Sequence, residues 1–204
     1  MIMKVGRAGL MAMVAALAAA PAAAEFGAKA GASIANVMGV SDITADSVTG
    51  LTGGAFLSLS GGVVAVEADV LFTAKGYKFA STVGGSALTV VNEFNYIDVP
   101  VLVKFYLIPK GPFRPYLGAG PQVSFLMSAE SKSTLNNAET KQDVKDALAH
   151  YDWAAVLDGG VSLVLGAVTL SADFRYGLGL TGISKTAGED GKSSVISILA
   201  GVAF

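Results

Sequence analysis

Apolar and polar positions alternate with a period of two through most of the chain beyond residue 25, and the alternation is clearest from Tyr96 to Leu107. Ile97, Val99, Val101, Val103, Phe105 and Leu107 fall on one side of an extended strand, and Tyr96, Asp98, Pro100, Leu102, Lys104 and Tyr106 on the other. The first face is wholly apolar, and charge sits only on the second. Seven more segments read the same way, at about residues 26–36, 51–59, 63–73, 116–127, 151–163, 168–179 and 195–204. Each sets a nearly unbroken apolar face against one of Gly, Ser, Thr and charged residues.

Connection lengths decide the architecture. Turns after the second, fourth and sixth segments take about two to five residues, whereas those after the first, third, fifth and seventh take roughly ten to twenty, as in outer-membrane barrels. A soluble sandwich would need large residues on its buried faces, yet Gly and Ala are frequent on both faces here. The even strand count and lengths near ten residues suit a tilted crossing of hydrocarbon, where closure removes the sheet edges. The expected fold is all-β: an eight-stranded antiparallel up-and-down transmembrane β-barrel. Residues 37–49, 78–93, 129–150 and 181–193 would lie outside the cell and both mature termini in the periplasm. Within the longest loop, Thr140 to Ala149 has the spacing of a short capped helix.

Composition adds a compartment. Lys4 and Arg7 precede an apolar run from Leu10 to Ala20 that ends in Pro21-Ala22-Ala23-Ala24, the plan of a secretory signal peptide over residues 1–24 followed by one domain, 25–204. Its removal takes two of the 14 basic residues and none of the 16 acidic ones, leaving 12 against 16, a formal charge of −4. Nothing in that balance suggests nucleic acid. Cysteine is absent, which excludes disulfides, thiolate catalysis and Cys-based metal sites.

Candidate chemistry is sparse. The single histidine, His150, stands with no partner pattern for catalysis, and one His without Cys makes a poor metal site. Gly118, Gly120, Gly177 and Gly179 lie at period two inside strands, the wrong context for a phosphate cradle, and read better as room for long neighbours in a narrow lumen. Lys29, Glu67, Asp69, Asp98, Lys104, Asp158, Asp173 and Arg175 share the inner face and read as a paired structural network, because eight strands leave an interior that side chains can fill. A two-residue turn at Leu165-Gly166 would pair Val164 with Ala167 and set Asp158 opposite Asp173, with Arg175 bridging the two carboxylates.

The same residues carry a resemblance. Gly27-Ala28-Lys29-Ala30-Gly31, Lys75-Gly76-Tyr77, Tyr96-Ile97-Asp98-Val99-Pro100-Val101-Leu102-Val103-Lys104, Pro115-Tyr116-Leu117-Gly118-Ala119-Gly120, Asp158-Gly159-Gly160, Asp173-Phe174-Arg175-Tyr176-Gly177 and the terminal Phe204 resemble the PorT-type, or "porin family", eight-stranded outer-membrane β-barrels. The resemblance spans nearly the whole mature chain, and Tyr-Ile-Asp-Val-Pro is its most specific stretch. It implies insertion in the bacterial outer membrane, with Phe204 looking like the signal read by the barrel assembly machinery. The shared motifs are structural, so no activity carries over. No cofactor or metal is expected. The expected partners are outer-membrane lipid and an extracellular or envelope partner met through the outer loops. The expected function is a non-enzymatic structural, envelope-integrity or adhesion-type role; the alternatives are a small porin-like diffusion channel and, third, a lipid-modifying outer-membrane enzyme.

Overall fold

The computed structural model describes residues 23–38, 46–83, 86–135, 138–145, 149–181 and 192–204. All but the last two residues of the expected signal peptide lie outside that set. Nine strands form: β1 (Ala23–Met38), β2 (Asp46–Gly61), β3 (Val64–Val83), β4 (Ser86–Tyr106), β5 (Phe113–Leu135), β6 (Ala138–Asp143), β7 (Tyr151–Leu165), β8 (Val168–Gly179) and β9 (Lys192–Ala203). Eight of them pair with sequential neighbours in an antiparallel ring, with β5 passing directly to β7, and β6 hangs on the outer half of β5. The ring closes where β1 meets β9, from Gly27 opposite Ala203 to Met38 opposite Lys192. Backbone bonds between Phe26 and Phe204 extend the seam to the chain's last residue, at 3.0 and 3.3 Å. Among the described residues every strand of the ring is paired on both sides through the body of the barrel, which is what hydrocarbon demands of a spanning sheet.

The alternation read from sequence sorts the two faces. Val101 is 42% exposed while its neighbour Leu102 is wholly buried, and the same contrast separates Phe105 from Lys104 and Phe174 from Arg175. The apolar face therefore points out to lipid and the mixed face fills the lumen. Phe26, Phe105, Phe113 and Phe204 are exposed at the end that carries the chain termini, with Tyr151 and Trp153 towards the other end, in the positions of interfacial aromatic girdles.

One expectation fails at a turn, where Leu165-Gly166 was expected, and one in the long loop. Gly61 pairs with Val64 and Leu165 with Val168, so the tight turns are Gly62-Val63 and Gly166-Ala167. Gly62 and Gly166 take φ of 80° and 70°, matching hairpin turns that need a positive φ at the first central position, where glycine alone is unstrained. The shift brings Asp158 opposite Arg175, and Asp173 opposite Gly160, in place of the expected pairing of Asp158 with Asp173. In the long loop, β5 runs on to Leu135 and Thr140 to Asp143 belong to β6, so the expected helix over Thr140 to Ala149 does not form in that part. Pairing with β5 satisfies this backbone along six successive residues, which outweighs a weak capping pattern.

Strands β3 to β6 also continue well past the level at which β7 begins. Tyr151 pairs with Phe125, whereas β5 extends on to Leu135, roughly 30 Å further along the strand. Much of the segment 78–93, expected as loop, is thus strand, paired as far as Val83 with Ser86. A register break at Asn95/Tyr96, which skips Met127 on β5, marks where this wall leaves the barrel. The bulge turns both Leu126 and Ala129 inward, where they pack with Phe94, Tyr96 and Val144.

Candidate functional site: a charged layer across the lumen

Alternation places inward residues of five strands at one height. Lys29 comes from β1, Glu67 and Asp69 from β3, Lys104 from β4, Asp158 from β7, and Asp173 and Arg175 from β8, each at most 5% exposed. Charges withdrawn this far from water persist only when paired. Lys29 Nζ donates to Glu67 Oε1 at 2.5 Å and lies 3.4 Å from Asp173 Oδ1. Lys104 Nζ lies 2.8 Å from Glu67, 3.2 Å from Asp173 and 3.4 Å from Asp158. Arg175 donates through Nη2 to Glu67 Oε1 at 2.9 Å and through Nη1 to Asp69 Oδ2. Its Nε lies 3.6 Å from Asp158 and its Nη2 4.0 Å from Asp173. The expected bridge between Asp158 and Asp173 is thus not the main bonding of Arg175, whose hydrogen bonds cross the lumen to β3.

Asp98 does not join this layer. It pairs with Lys75 at 3.0 Å, nearer the outer end, and that ammonium stands 4.5 Å over the Tyr96 ring. Lys75 and Tyr116 are the two residues that the sequence reading of the lumen left out. Tyr116 is 1% exposed, donates from its hydroxyl to Asp173 Oδ1 at 2.5 Å, and carries Lys104 4.4 Å above its ring. The signal for both was parity, since Tyr116 falls on the inner face of its strand and Lys75 continues the inward series Glu67, Asp69, Leu71, Thr73.

Glycine supplies the room. A Cβ on Gly160 would stand 2.6 Å from the Tyr116 hydroxyl oxygen, one on Gly118 3.1 Å from Lys104 Cγ, and one on Gly201 3.0 Å from Lys29 Cγ. Oxygens of Glu67, Asp158 and Asp173 converge closely enough to suggest a cation site, but the Lys104 ammonium lies within 3.4 Å of all three carboxylates and occupies that role. Four carboxylates face three cations, and the layer has hydrogen-bonding groups to spare: both oxygens of Asp158, one of Asp69 and Arg175 Nε have no hydrogen-bond partner. His150 lies apart from all this, exposed at the rim, where its carbonyl accepts the backbone N–H of Leu126.

A closed ring of eight antiparallel strands, apolar outside and charged within, defines an outer-membrane β-barrel protein. The chain belongs to the outer membrane protein beta-barrel domain family, whose model matches residues 18–184, and its place is the bacterial outer membrane. Among solved structures it is similar to Neisserial surface protein A (NspA), with 17% identity, a TM-score of 0.51, and coverage of 90% of this chain and 99% of that one. OprG from Pseudomonas aeruginosa follows at 12% identity and TM-score 0.48, covering 90% and 97%. Ail, the attachment invasion locus protein of Yersinia pestis, stands at 12% and 0.44, covering 88% and 98%. At these identities the likeness is one of fold. No curated protein matches the sequence.

Proposed function

We propose that this barrel is a non-enzymatic envelope protein with a structural, envelope-integrity or adhesion-type role, acting through the surface that β3 to β6 carry beyond the membrane. One observation carries the reading: the charged layer fills the lumen at mid-height, so solute has no open way through. The site chemistry agrees, because the only histidine is exposed at the rim and the lumen carboxylates are engaged by lysine and arginine. Outer-membrane lipid and the assembly machinery are the partners this role requires, the latter reading Phe204 at the closing seam. An extracellular or envelope partner would meet the projecting wall.

A PorT-type subgroup is part of the proposal. Two of the stretches that carry the resemblance meet in space, since Asp98 of Tyr-Ile-Asp-Val-Pro pairs with Lys75 of Lys-Gly-Tyr.

The test has two arms. Purified, folded protein in planar bilayers should be silent, and stable single-channel steps would move the assignment to the diffusion channel. A variant in which residues 130–143 are replaced by a short turn should still insert and fold but lose envelope integrity or cell attachment; unchanged cells in both assays would reject the proposal.

A further inference from the structure

The wall that projects beyond the barrel ends in a strand edge. Among the described residues β6 pairs with β5 alone, and no strand lies along its other side. The Val144 N–H bonds to the Ala129 carbonyl in the register of that ladder, which fixes the alternation of the strand. Backbone groups of Thr140 and Gln142 therefore turn to β5, while those of Glu139, Lys141 and Asp143 turn to the other side. Thr140, Lys141 and Gln142 are exposed one after another, as an uncovered edge requires. Such an edge is a template for a further extended chain, and the residues along it choose which. Here the run Glu139-Thr140-Lys141-Gln142-Asp143-Val144-Lys145 is its own charge complement about Gln142. We propose that the β6 edge is a site of homotypic adhesion, pairing antiparallel with the β6 edge of a second copy of this chain in an apposed membrane.

Register and charge select the partner. The backbone alternation admits only pairings that set odd-numbered residues against odd-numbered ones. A two-fold at Lys141 would put Lys141 against itself and Glu139 against Asp143, and like charges directly opposite repel. A two-fold at Gln142 puts Lys141 opposite Asp143 on both sides and brings Glu139 towards Lys145, which follows the end of the strand. A two-fold at Thr140 has only Glu139 against Lys141, so the Gln142 register carries more opposite charge. Orientation then selects the membrane. β5 rises out of the barrel to Leu135 and β6 runs back towards it. Every copy in one membrane has its β6 running the same way, so an antiparallel partner must arrive inverted, from the outer membrane of a facing cell. So short a ladder is weak alone, but contact between two cells engages many copies at once.

The inference deepens the adhesion-type reading above and rests on it, and the experiment keeps the two apart. Cells that otherwise lack the protein express the wild-type or a variant chain and carry one of two fluorescent colours. The main variant combines Lys141→Asp with Asp143→Lys, which keeps the net charge and its own complementarity about Gln142 but sets like charges against the wild-type edge. Wild-type cells should clump with wild-type cells and variant cells with variant cells. Mixed contacts should fall at least about tenfold, the effect of turning attractive cross-strand pairs into repulsive ones. Lys141→Pro removes an N–H from the outer side of β6 and none from the β5 ladder, so it should abolish clumping while the barrel stays folded, as its heat-dependent gel mobility reports. Clumps in which wild-type and charge-swapped cells mix freely overturn the self-pairing. Wild-type cells that stay dispersed overturn it too; if such cells still lose attachment or envelope integrity when residues 130–143 are replaced, the broader reading stands. Dispersed cells with no such loss overturn both.

Discussion

Asp158 stands directly across the β7–β8 ladder from Arg175, yet the guanidinium gives its hydrogen bonds to Glu67 and Asp69 on the far wall. A neighbouring-strand pair would only have reinforced a ladder that the backbone already makes. The cross-lumen bonds instead tie β8 to β3, which share no ladder. The charged layer thus braces the barrel across its width.

Arg175→Ala should therefore cost about 3–5 kcal/mol, because it leaves buried carboxylates facing one another without their cation. Asp69→Asn in the same chain should restore a good part of that loss, since the excess charge goes with it. Urea unfolding from liposomes measures both, and a double variant whose loss is the plain sum of the single ones would show that Arg175 and Asp69 do not act together.

The lipid and lumen faces can be separated at two adjacent positions. Val101, exposed at mid-span, should tolerate alanine, whereas Val101→Arg should cost about 2–4 kcal/mol by placing charge at the bilayer midplane. Leu102, wholly buried inside, should lose about 2–5 kcal/mol as alanine, the range of a buried leucine whose cavity is not refilled. Equal losses for the two alanine variants in the same unfolding assay would contradict the face assignment.

Trypsin applied to intact cells should cut first after Lys145. That residue follows the end of β6, while Lys132 and Lys141 lie opposite each other in the β5–β6 ladder and are held extended. Lys110, in the turn between β4 and β5 at the periplasmic end, should survive until cells are opened. Mass spectrometry of the released peptides decides the order, and early cleavage after Lys110 would invert the topology.

What the sequence made legible was whatever depends on parity. Period-two alternation is a property of each strand alone, so the faces of Val101 and Leu102, the eight-strand ring and the inward charges all follow from it. What it left open depends on a shift of one residue in a turn. Placing Gly166 first in the hairpin turn moved Asp158 from Asp173 to Arg175 without changing either residue's face. The cue was present, since a turn of that kind wants glycine at its first central position. The wall beyond the membrane was harder to see. Its strands carry charge and hydroxyls on segments such as Glu130 to Thr134, where no lipid enforces an apolar face, and the bulge that skips Met127 breaks the alternation where they begin.

Gly160 and Gly177 provide a matched pair for the lumen itself. Both are inward glycines in antiparallel strands, but a Cβ at Gly160 would run into the Ala172 carbonyl oxygen and stand 2.6 Å from the Tyr116 hydroxyl oxygen, whereas at Gly177 the nearest atom is 3.8 Å away. Gly160→Ala must therefore displace both the Ala172 backbone and Tyr116, and should cost at least as much as Tyr116→Phe, which deletes a hydrogen bond to a charged group worth about 1.5–3 kcal/mol. Gly177→Ala should be neutral or stabilising by up to about 1 kcal/mol, because it fills open space and reduces the freedom of the unfolded chain. Combining Gly160→Ala with Tyr116→Phe should cost somewhat less than the sum, since the hydroxyl collision is removed while those with the Ala172 carbonyl and the ring remain. Unfolding midpoints in urea for the three single variants and the double variant test this. A harmless Gly160→Ala beside a damaging Gly177→Ala would mean that the tyrosine does not sit under the layer and that space is scarce beside Gly177.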